Sequence, residues 1–253
     1  MIVYRLSDVV SGQVVKRPSN NIKSPYVADV IIDGEEYLVH SPSLGCSGLC
    51  EAPNEVVMIP TPGNKCSYRI QLAKYKKVYI CTNPKISEHI VNKMLKKNIF
   101  PSIDVQSYKA EVTKLNSRFD FAGVEKHNQQ FILEVKSVPL KCDKHTAYFP
   151  TGFRKKKSDP ISPRALKHVQ ELQKIKQEHT DMRCILCFVI NRHDIKEFKI
   201  NSDDPIYRKA VQEAWMHGVE IIAFCIKWST TKGKYLNKTI PIKLFDEYGV
   251  RTI

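Results

Sequence analysis

The sequence predicts two structural parts, a strand-rich N-terminal part and an α/β part that is built on a mixed sheet. The first part is expected to form a small β-barrel or sandwich, because short β-branched runs alternate with Gly/Pro turns up to about residue 80. The second prediction rests on apolar stripes at helical spacing, which alternate with strand-like runs after Tyr79. We therefore divide the chain of 253 residues into segments 1–80 and 81–253.

The clearest element of the first part is a β-hairpin. Apolar runs at 28–32 and 37–39 flank Asp33-Gly34, a dipeptide that is typical of two-residue hairpin turns. Residues 56–59 are expected to form a third strand, after which the Pro- and Gly-containing stretch 60–64 interrupts the pattern. No helix is predicted in this segment.

Three helices and several strands are predicted in the second part. The first helix should start at Pro84, with Thr82 or Asn83 as its cap, and strands should follow near residues 105–113, 118–124 and 131–138. Ser162-Pro163 predicts the start of a second helix and Asp204-Pro205 that of a third, which should end near Gly218. Apolar runs at 184–191 and 219–226 predict buried strands after the second and third helices.

The charge balance predicts a polyanionic partner. The formal net charge is +14, and one dense basic run comprises Arg154, Lys155, Lys156 and Lys157. Proteins commonly use such an excess of Lys and Arg to contact phosphates, so DNA or RNA is the expected partner. The alternative is a solvated, lysine-rich surface without a ligand.

Other features of the chain predict its location and the state of its cysteines. No apolar run approaches the length needed to cross a bilayer and no secretory signal is recognised, so we expect an intracellular protein (cytoplasm or nucleus/nucleoid) that does not bind membranes. The eight cysteines are scattered and are expected to be reduced. Cys184 and Cys187 should face opposite sides of one strand, and no fourth zinc ligand is evident for Cys46, Cys50 and Cys66.

The sharpest local feature of the chain is a set of charges on two neighbouring strands. Along 131–138, apolar side chains alternate with a face that carries Glu134 and Lys136. Two adjacent charges between apolar neighbours are costly to bury without a function. A hairpin over the polar stretch 126–130 would place Asp120 of the preceding strand beside them.

This trio predicts a metal-dependent chemistry. Two neighbouring carboxylates repel each other, which favours a shared proton or a divalent cation between them. Oxygen ligands suit Mg²⁺ or Mn²⁺, and an ammonium beside the ion can orient an attacking water for phosphodiester hydrolysis. The alternative is an ordinary ion pair on a solvated strand face, and spacing alone leaves both interpretations open.

Collinear motifs resemble the sugar fermentation stimulation protein A (SfsA) family and, through it, the PD-(D/E)xK nuclease superfamily. The family's SRIDF segment is matched by SRFDF at 117–121, its VEVKSV strand by LEVKSV at 133–138, and its HCPNTG stretch by HSPSLG at 40–45. AYFPD is matched by AYFPT at 147–151, and the helix pattern R-G-x-K-H-L-x-E-L by RALKHVQEL at 164–172. The matches continue through Asp204-Pro205-x-Tyr207 and Gly218-Val219-Glu220, so they extend over most of the chain.

The resemblance implies an OB-like N-terminal barrel and a restriction-endonuclease-like core. It implies that Asp120 and Glu134 are metal ligands and that Lys136 is the catalytic lysine, and the main-chain carbonyl of Val135 is a further possible ligand. Glu88 on the first helix of the core is a candidate accessory carboxylate, although its residue type alone favours an ordinary surface glutamate.

The chain departs from the family pattern after the Phe-Pro pair. Thr151 stands in place of the family's Asp, so the site works without this group or uses Asp159 instead. The longer stretch 152–163, which carries the basic run, is expected to contact the nucleic-acid backbone. Further candidates for phosphate contacts are Arg118, Arg164 and Lys167.

Two kinds of side chain near the motifs have a structural alternative. Tyr148 and Phe149 could stack on an unpaired base, but a role in the core is equally compatible with the sequence. His168 is expected to be a helix-surface or hydrogen-bonded structural residue rather than a catalytic one.

Three functions are therefore compared. The first is a Mg²⁺- or Mn²⁺-dependent nuclease that acts on DNA or RNA, with a single-stranded or branched substrate as one possibility. The second is a non-catalytic DNA-binding regulator, which the net charge and the family's link to sugar-metabolism genes would suit. The third is a protein-interaction module with an incidental ion pair. Neither the oligomeric state nor the choice between DNA and RNA follows from the sequence.

Overall fold

The computed structural model describes residues 1–44, 46, 48–62, 65–152, 154 and 156–245. These residues form three helices and sixteen strands. Among them, no helix combines the length and the apolar character that crossing a membrane would require.

The N-terminal part contains seven strands. Their bounds are β1 (Ile2–Arg5), β2 (Val10–Lys16), β3 (Val27–Ile32), β4 (Glu35–His40), β5 (Glu55–Pro60), β6 (Tyr68–Tyr75) and β7 (Val78–Cys81). Strands β2 to β6 pair in the order β4-β3-β2-β5-β6, and β4 also pairs with β6, which closes a five-stranded barrel. The predicted barrel is therefore confirmed, and its interior is filled by buried apolar side chains such as Val30, Val56 and Ile70.

The predicted hairpin joins β3 to β4. Ile32 pairs with Glu35 across the turn, and both turn residues have positive φ angles, 50° at Asp33 and 90° at Gly34. This geometry matches the twist of the flanking strands and explains why the Asp-Gly dipeptide marks the turn. Strands β1, β2, β6 and β7 were not singled out in the sequence, although Tyr68, Ile70 and Leu72 alternate with polar residues along β6 and the residues of β7 are all apolar.

The second part contains all three helices and the remaining nine strands. Their bounds are α1 (Pro84–Lys96), β8 (Val105–Lys114), β9 (Ser117–Glu125), β10 (Gln130–Val138), β11 (Thr146–Phe149), α2 (Pro163–Glu178), β12 (Arg183–Ile190), β13 (Glu197–Ile200), α3 (Pro205–Met216), β14 (Glu220–Trp228), β15 (Lys232–Thr239) and β16 (Ile242–Lys243). Asn83, Ser162 and Asp204 cap the three helices through their side chains, which confirms the predicted helix starts. The short strands β11, β13 and β16 and the eight-residue strand β15 were not predicted.

The central sheet of this part is mixed, as predicted. Its strand order is β7-β14-β12-β10-β9-β8, with β10, β12 and β14 parallel to one another and β8 and β9 antiparallel. A second sheet, β11-β13-β16, is parallel. Strand β7 pairs with β6 of the barrel and, through Tyr79, with Trp228 of β14, so the two parts share a continuous run of strands. The division at residues 80/81 stays a prediction.

Helices cover both faces of the central sheet. Phe131, Leu133 and Val135 of β10 belong to the apolar cluster that includes α1, whereas Ile132 packs with α2 and α3. The predicted alternation along β10 is thereby confirmed. Cys184 and Cys187 likewise belong to opposite clusters, and all eight cysteines are free. The alternation turns the side chain of Glu134 towards α2.

A close contact between β8 and β9 requires a glycine. Gly123 pairs with Tyr108, and a Cβ atom added at Gly123 would lie 2.2 Å from the main-chain oxygen of Ser107. This strand pair holds Asp120 three residues away, so its geometry helps to define the site described below.

Gly123→Ala is expected to lower the free energy of unfolding by about 3 kcal/mol, because the obstacle is main chain that cannot rotate away. Gly34→Ala is the matched control, since Gly34 has φ +90° but open space around a Cβ, and it should cost about 1 kcal/mol. Urea unfolding of both variants measures the difference. Equal destabilisation would show that the contact at Gly123 does not constrain the strand pair.

Candidate active site

The predicted trio lines one polar cleft of about 340 Å³. Asp120 comes from β9, and Glu134 and Lys136 come from β10. The start of α1 adds Glu88, the start of α2 adds Arg164, and Ser43 of the barrel segment completes one wall. The cleft therefore lies where the barrel, the central sheet and two helix starts meet.

Asp120 lies where strands β9 and β10 stop pairing. Their ladder runs from Val124↔Gln130 to Phe121↔Leu133. Beyond this pair, the Val135 N–H donates to Oδ2 of Asp120 at 2.7 Å, so the side chain replaces a main-chain acceptor. The sequence predicted the proximity of Asp120 to β10 but not this hydrogen bond.

The surroundings of Asp120 disfavour its ionised form. Burial raises the pKa of Asp120 to about 7, and the nearby Glu134 carboxylate adds to the effect. The hydrogen bond from Val135 opposes the shift but does not cancel it. A group with this pKa holds a proton about half the time at neutral pH unless a cation takes the place of that proton.

Glu134 is buried at 3% exposure and is held by two partners. Its Oε1 atom accepts hydrogen bonds from Nζ of Lys136 and from Nδ1 of His168. Burial by itself would raise the pKa of Glu134, but Lys136 and His168 outweigh it, so the pKa lies below its usual value. Glu134 is therefore ionised, while its Oε2 atom is buried without a hydrogen-bond partner.

Glu88 lies at the cleft rather than on a remote surface. Its side chain is 28% exposed and forms an ion pair with Lys85. Its charge contributes to the raised pKa of Asp120, so the two carboxylates are electrostatically coupled. The sequence named Glu88 only as an accessory candidate, because a helical glutamate beside a lysine is usually a surface ion pair.

The basic residues that the sequence singled out occupy different places. Arg164 is exposed and lines the cleft. Lys167 instead donates to the main-chain oxygen of Asn116 at 2.6 Å, and Arg118 lies 3.4 Å from Glu111. Neither Lys167 nor Arg118 is part of the lining, so any contact that they make with a ligand lies outside the cleft.

The described residues of the basic run are placed through Arg154, which lies beside the cleft. Arg154 lines a neighbouring pocket, Lys156 and Lys157 are exposed, and Lys155 lies outside the described residues. Asp159 is not among the described residues that line the cleft, whereas Thr151 is. The wall at this point therefore presents a hydroxyl where the family pattern has a carboxylate.

Of the two expectations for His168, the hydrogen-bonded structural residue is confirmed and the helix-surface residue is wrong. It is 4% exposed, since it lies on the same helical face as Ala165, Val169 and Leu172. That periodicity would have placed its ring on the buried side of α2, facing Glu134. Phe149 also lines the cleft, but it packs on Phe188 and Tyr207, so its role is largely structural.

The donor atoms of the cleft fit a hard divalent cation. Within the described part of the chain, no cluster of three or more His, Cys, Asp or Glu side chains is arranged to hold a metal. Two carboxylates are nevertheless sufficient for Mg²⁺, which usually keeps several waters and binds substrate phosphates as well. The unpartnered Oε2 of Glu134 and the raised pKa of Asp120 are the two features that a cation would relieve.

Another cavity is slightly larger, but its described lining carries no carboxylate that could bind a metal. It measures about 400 Å³ and lies along β8, β9 and β10, where Val112, Ala122 and Met182 make much of its wall apolar. None of the described residues that line it is acidic. The smaller polar cleft is therefore the candidate active site.

Comparisons with known proteins give consistent matches. The family model described as "Sugar fermentation stimulation protein RE domain" matches residues 85–232. A sugar fermentation stimulation protein homolog from Carboxydothermus hydrogenoformans is 30% identical over 225 residues, which cover 87% of this chain and 92% of the relative. One from Desulforamulus reducens is 32% identical over 223 residues, which cover 87% and 88%.

A solved structure shares the fold. The structure of Pyrococcus furiosus SfsA in complex with Ca²⁺ superposes with a TM-score of 0.80. The match covers 96% of this chain and 99% of that chain at 18% sequence identity. At this identity the likeness establishes the architecture, namely the closed barrel followed by a mixed α/β sheet.

Asp120→Asn is expected to stabilise the metal-free protein progressively as the pH rises. Between the ordinary value of 3.8 and the raised pKa of about 7, the folded state keeps a proton that the unfolded state releases. The stability of the parent protein therefore falls as the pH rises through this window, whereas an amide cannot ionise. Thermal melting in EDTA from pH 4 to pH 8 should show the variant gaining up to about 4 kcal/mol.

The matched control for this prediction is Asp8→Asn, which changes an exposed aspartate. Its stability difference from the parent should stay constant across the same pH range. A constant difference for Asp120→Asn as well would mean that Asp120 is not strained by its surroundings.

Proposed function

The chain belongs to the sugar fermentation stimulation protein family, and on this premise we propose that it is a metal-dependent nuclease that hydrolyses phosphodiester bonds in DNA or RNA. Asp120, Glu134 and Lys136 are the proposed catalytic residues. The observation that carries the proposal is their meeting in one cleft, where Glu134 is ionised and buried with one oxygen unpartnered. Asp29 and Glu171 also have a buried oxygen without a partner, so what sets the Glu134 oxygen apart is its place in the cleft with Asp120 and Lys136.

Asp120 and Glu134 are the proposed ligands of Mg²⁺ or Mn²⁺. The Oε1 atom of Glu134 already accepts hydrogen bonds from Lys136 and His168, so Oε2 is the atom available to a cation. Such an ion supplies Lewis-acid stabilisation of the charge that develops on the phosphate. The Ca²⁺ complex of the P. furiosus relative supports binding of a hard cation by this fold.

The remaining groups of the cleft have distinct proposed roles. The Lys136 ammonium can orient an attacking water and offset charge on the transition state. Arg164, exposed at the start of α2, can bind a phosphate oxygen of the substrate. His168 fixes the orientation of the Glu134 carboxylate, and Glu88 is a proposed accessory carboxylate. The carbonyl of Val135 stays a predicted ligand.

A nucleic acid is the partner that the charge favours. The net charge of +14 attracts a polyanion, and Lys156, Lys157 and Arg164 expose positive groups on the loop and helix next to the cleft. The same charge supports the alternative of a non-catalytic DNA-binding regulator. The two functions differ in one respect, because only the nuclease needs Asp120 and Glu134 for its activity.

A cleavage assay with matched variants separates them. Labelled single-stranded DNA, duplex DNA and RNA are incubated with Mg²⁺, with Mn²⁺ and with EDTA. Cleavage should require a metal, and Glu134→Ala or Lys136→Ala should reduce it at least about 100-fold, since each removes a group that acts on the transition state. Binding measured in EDTA should change little.

Two exposed positions supply the controls. Glu213→Ala and Lys174→Ala remove the same groups from side chains that are 43% and 61% exposed, and both should retain full cleavage. Salt-sensitive binding without cleavage under any metal would support the regulator instead. Failure to bind nucleic acid at all would favour the protein-interaction module.

Loss of the His168 ring should weaken metal binding. His168→Leu removes the hydrogen bond to Oε1, so the Glu134 carboxylate is free to rotate, and affinity for Mn²⁺ should fall about 10- to 100-fold. His168→Asn keeps a donor near the position of Nδ1 and should restore part of the affinity. Mn²⁺ titration followed by electron paramagnetic resonance measures both. Unchanged affinity in His168→Leu would rule out the positioning role.

A further inference from the structure

A second pocket of about 340 Å³ opens beside the cleft and shares a wall with it. Thr151 lines both spaces. The other groups that matter here are Tyr148 on β11, Arg154 on the loop that follows, and Asn201 and Asp203 before α3. The pocket thus combines one aromatic ring, one cation, the Asp203 carboxylate and neutral hydrogen-bonding groups within a space that is large enough for one nucleotide base.

The polar walls of this pocket are held in place by the main chain. Asn201 donates from Nδ2 to the carbonyl of Pro150 at 3.0 Å and accepts from the Asp203 N–H at 3.1 Å. Arg154 donates from Nη1 to the carbonyl of Lys157 at 3.1 Å and from Nη2 to that of Asp203. Because these side chains are already held in place, binding a ligand costs little of their conformational entropy.

Tyr148 offers a surface suited to stacking. It is half-buried on β11, where it pairs with Lys199 of β13, so the strand fixes the position of its backbone. An aromatic ring is a common platform for an unpaired base, because every base has a π-face, and every nucleotide also carries a phosphate. Arg154 supplies the positive charge for that phosphate.

The pocket is formed where this chain departs from the pattern of its family. Thr151 replaces the family's Asp, and Arg154 lies in the longer stretch 152–163. The replacement also removes a negative charge from the wall that the cleft and the pocket share.

We infer that this pocket binds an unpaired base of a single-stranded nucleic acid, next to the phosphate held in the cleft. The inference rests on the proposed nuclease function, and it names the substrate class of that same site. A base inside a duplex is stacked and paired and cannot enter without being extruded. Single strands, or duplexes with an unpaired end, are therefore the expected ligands.

Binding to 2-aminopurine oligonucleotides in EDTA tests the pocket without requiring catalysis. Fluorescence anisotropy gives the affinity for single-stranded and duplex DNA, and quenching of 2-aminopurine reports stacking on an aromatic ring. Tyr148→Leu should weaken single-strand binding about 5-fold or more and remove the protein-dependent quench. Tyr148→Phe should retain both, because the ring remains.

Arg154→Gln should weaken single-strand binding by a similar factor and lower its salt dependence, since one phosphate contact is lost. Lys97→Gln is the charge-matched control at an exposed position after α1, and it should leave single-strand affinity nearly unchanged. Binding to blunt duplex DNA should be the same in Tyr148→Leu and the parent protein.

The outcomes distinguish this proposal from the nuclease proposal. A Tyr148-dependent quench without any metal-dependent cleavage would support the pocket and overturn the nuclease. Metal-dependent cleavage of DNA without a preference that depends on Tyr148 or Arg154 would overturn the pocket and leave the nuclease standing. Equal binding of single strands by the parent and by both variants would also overturn the pocket.

Discussion

The structure of the candidate site depends on the burial of an ionised carboxylate inside a sheet. Glu134 is 3% exposed in β10, between apolar neighbours that pack against α1 and α2. Burial of a lone charge costs several kcal/mol, so it requires partners. Lys136 and His168 supply them on one oxygen, and the proposed cation would satisfy the other oxygen and Asp120.

These groups meet because the ladder between β9 and β10 ends at the place where helices α1 and α2 begin. Strands β9 and β10 separate after Phe121↔Leu133, which leaves space for the Asp120 side chain beside β10. The starts of α1 and α2 then bring Glu88 and Arg164 to the same cleft. The barrel is attached through β7, and Ser43 extends its surface to the site, so a bound strand could contact both parts.

Local pattern was sufficient for the fold class, for the three helices and for the proximity of the trio, but not for half of the described strands or for the surroundings of the trio. The alternation along β10 fixed the face of Glu134, and Ser162-Pro163 fixed the start of α2. Contacts between residues far apart in sequence carry no such signal. The hydrogen bond from Lys167 to Asn116 and the place of Glu88 in the cleft therefore could not be read from the sequence. Helical spacing places His168 on the buried face of α2, whereas its partner Glu134 lies 34 residues away in the sequence and carries no local signal.

The most direct test of the central claim is to locate a cation in crystals of the protein. Crystals soaked in Mn²⁺ would be measured by anomalous diffraction, which identifies the ion without reference to activity. We expect a peak between Asp120 and Oε2 of Glu134, with Lys136 and His168 still bonded to Oε1. A cleft that stays empty at saturating Mn²⁺, with both carboxylates in place, would contradict the account and leave the acidic pair as a structural feature of the sheet.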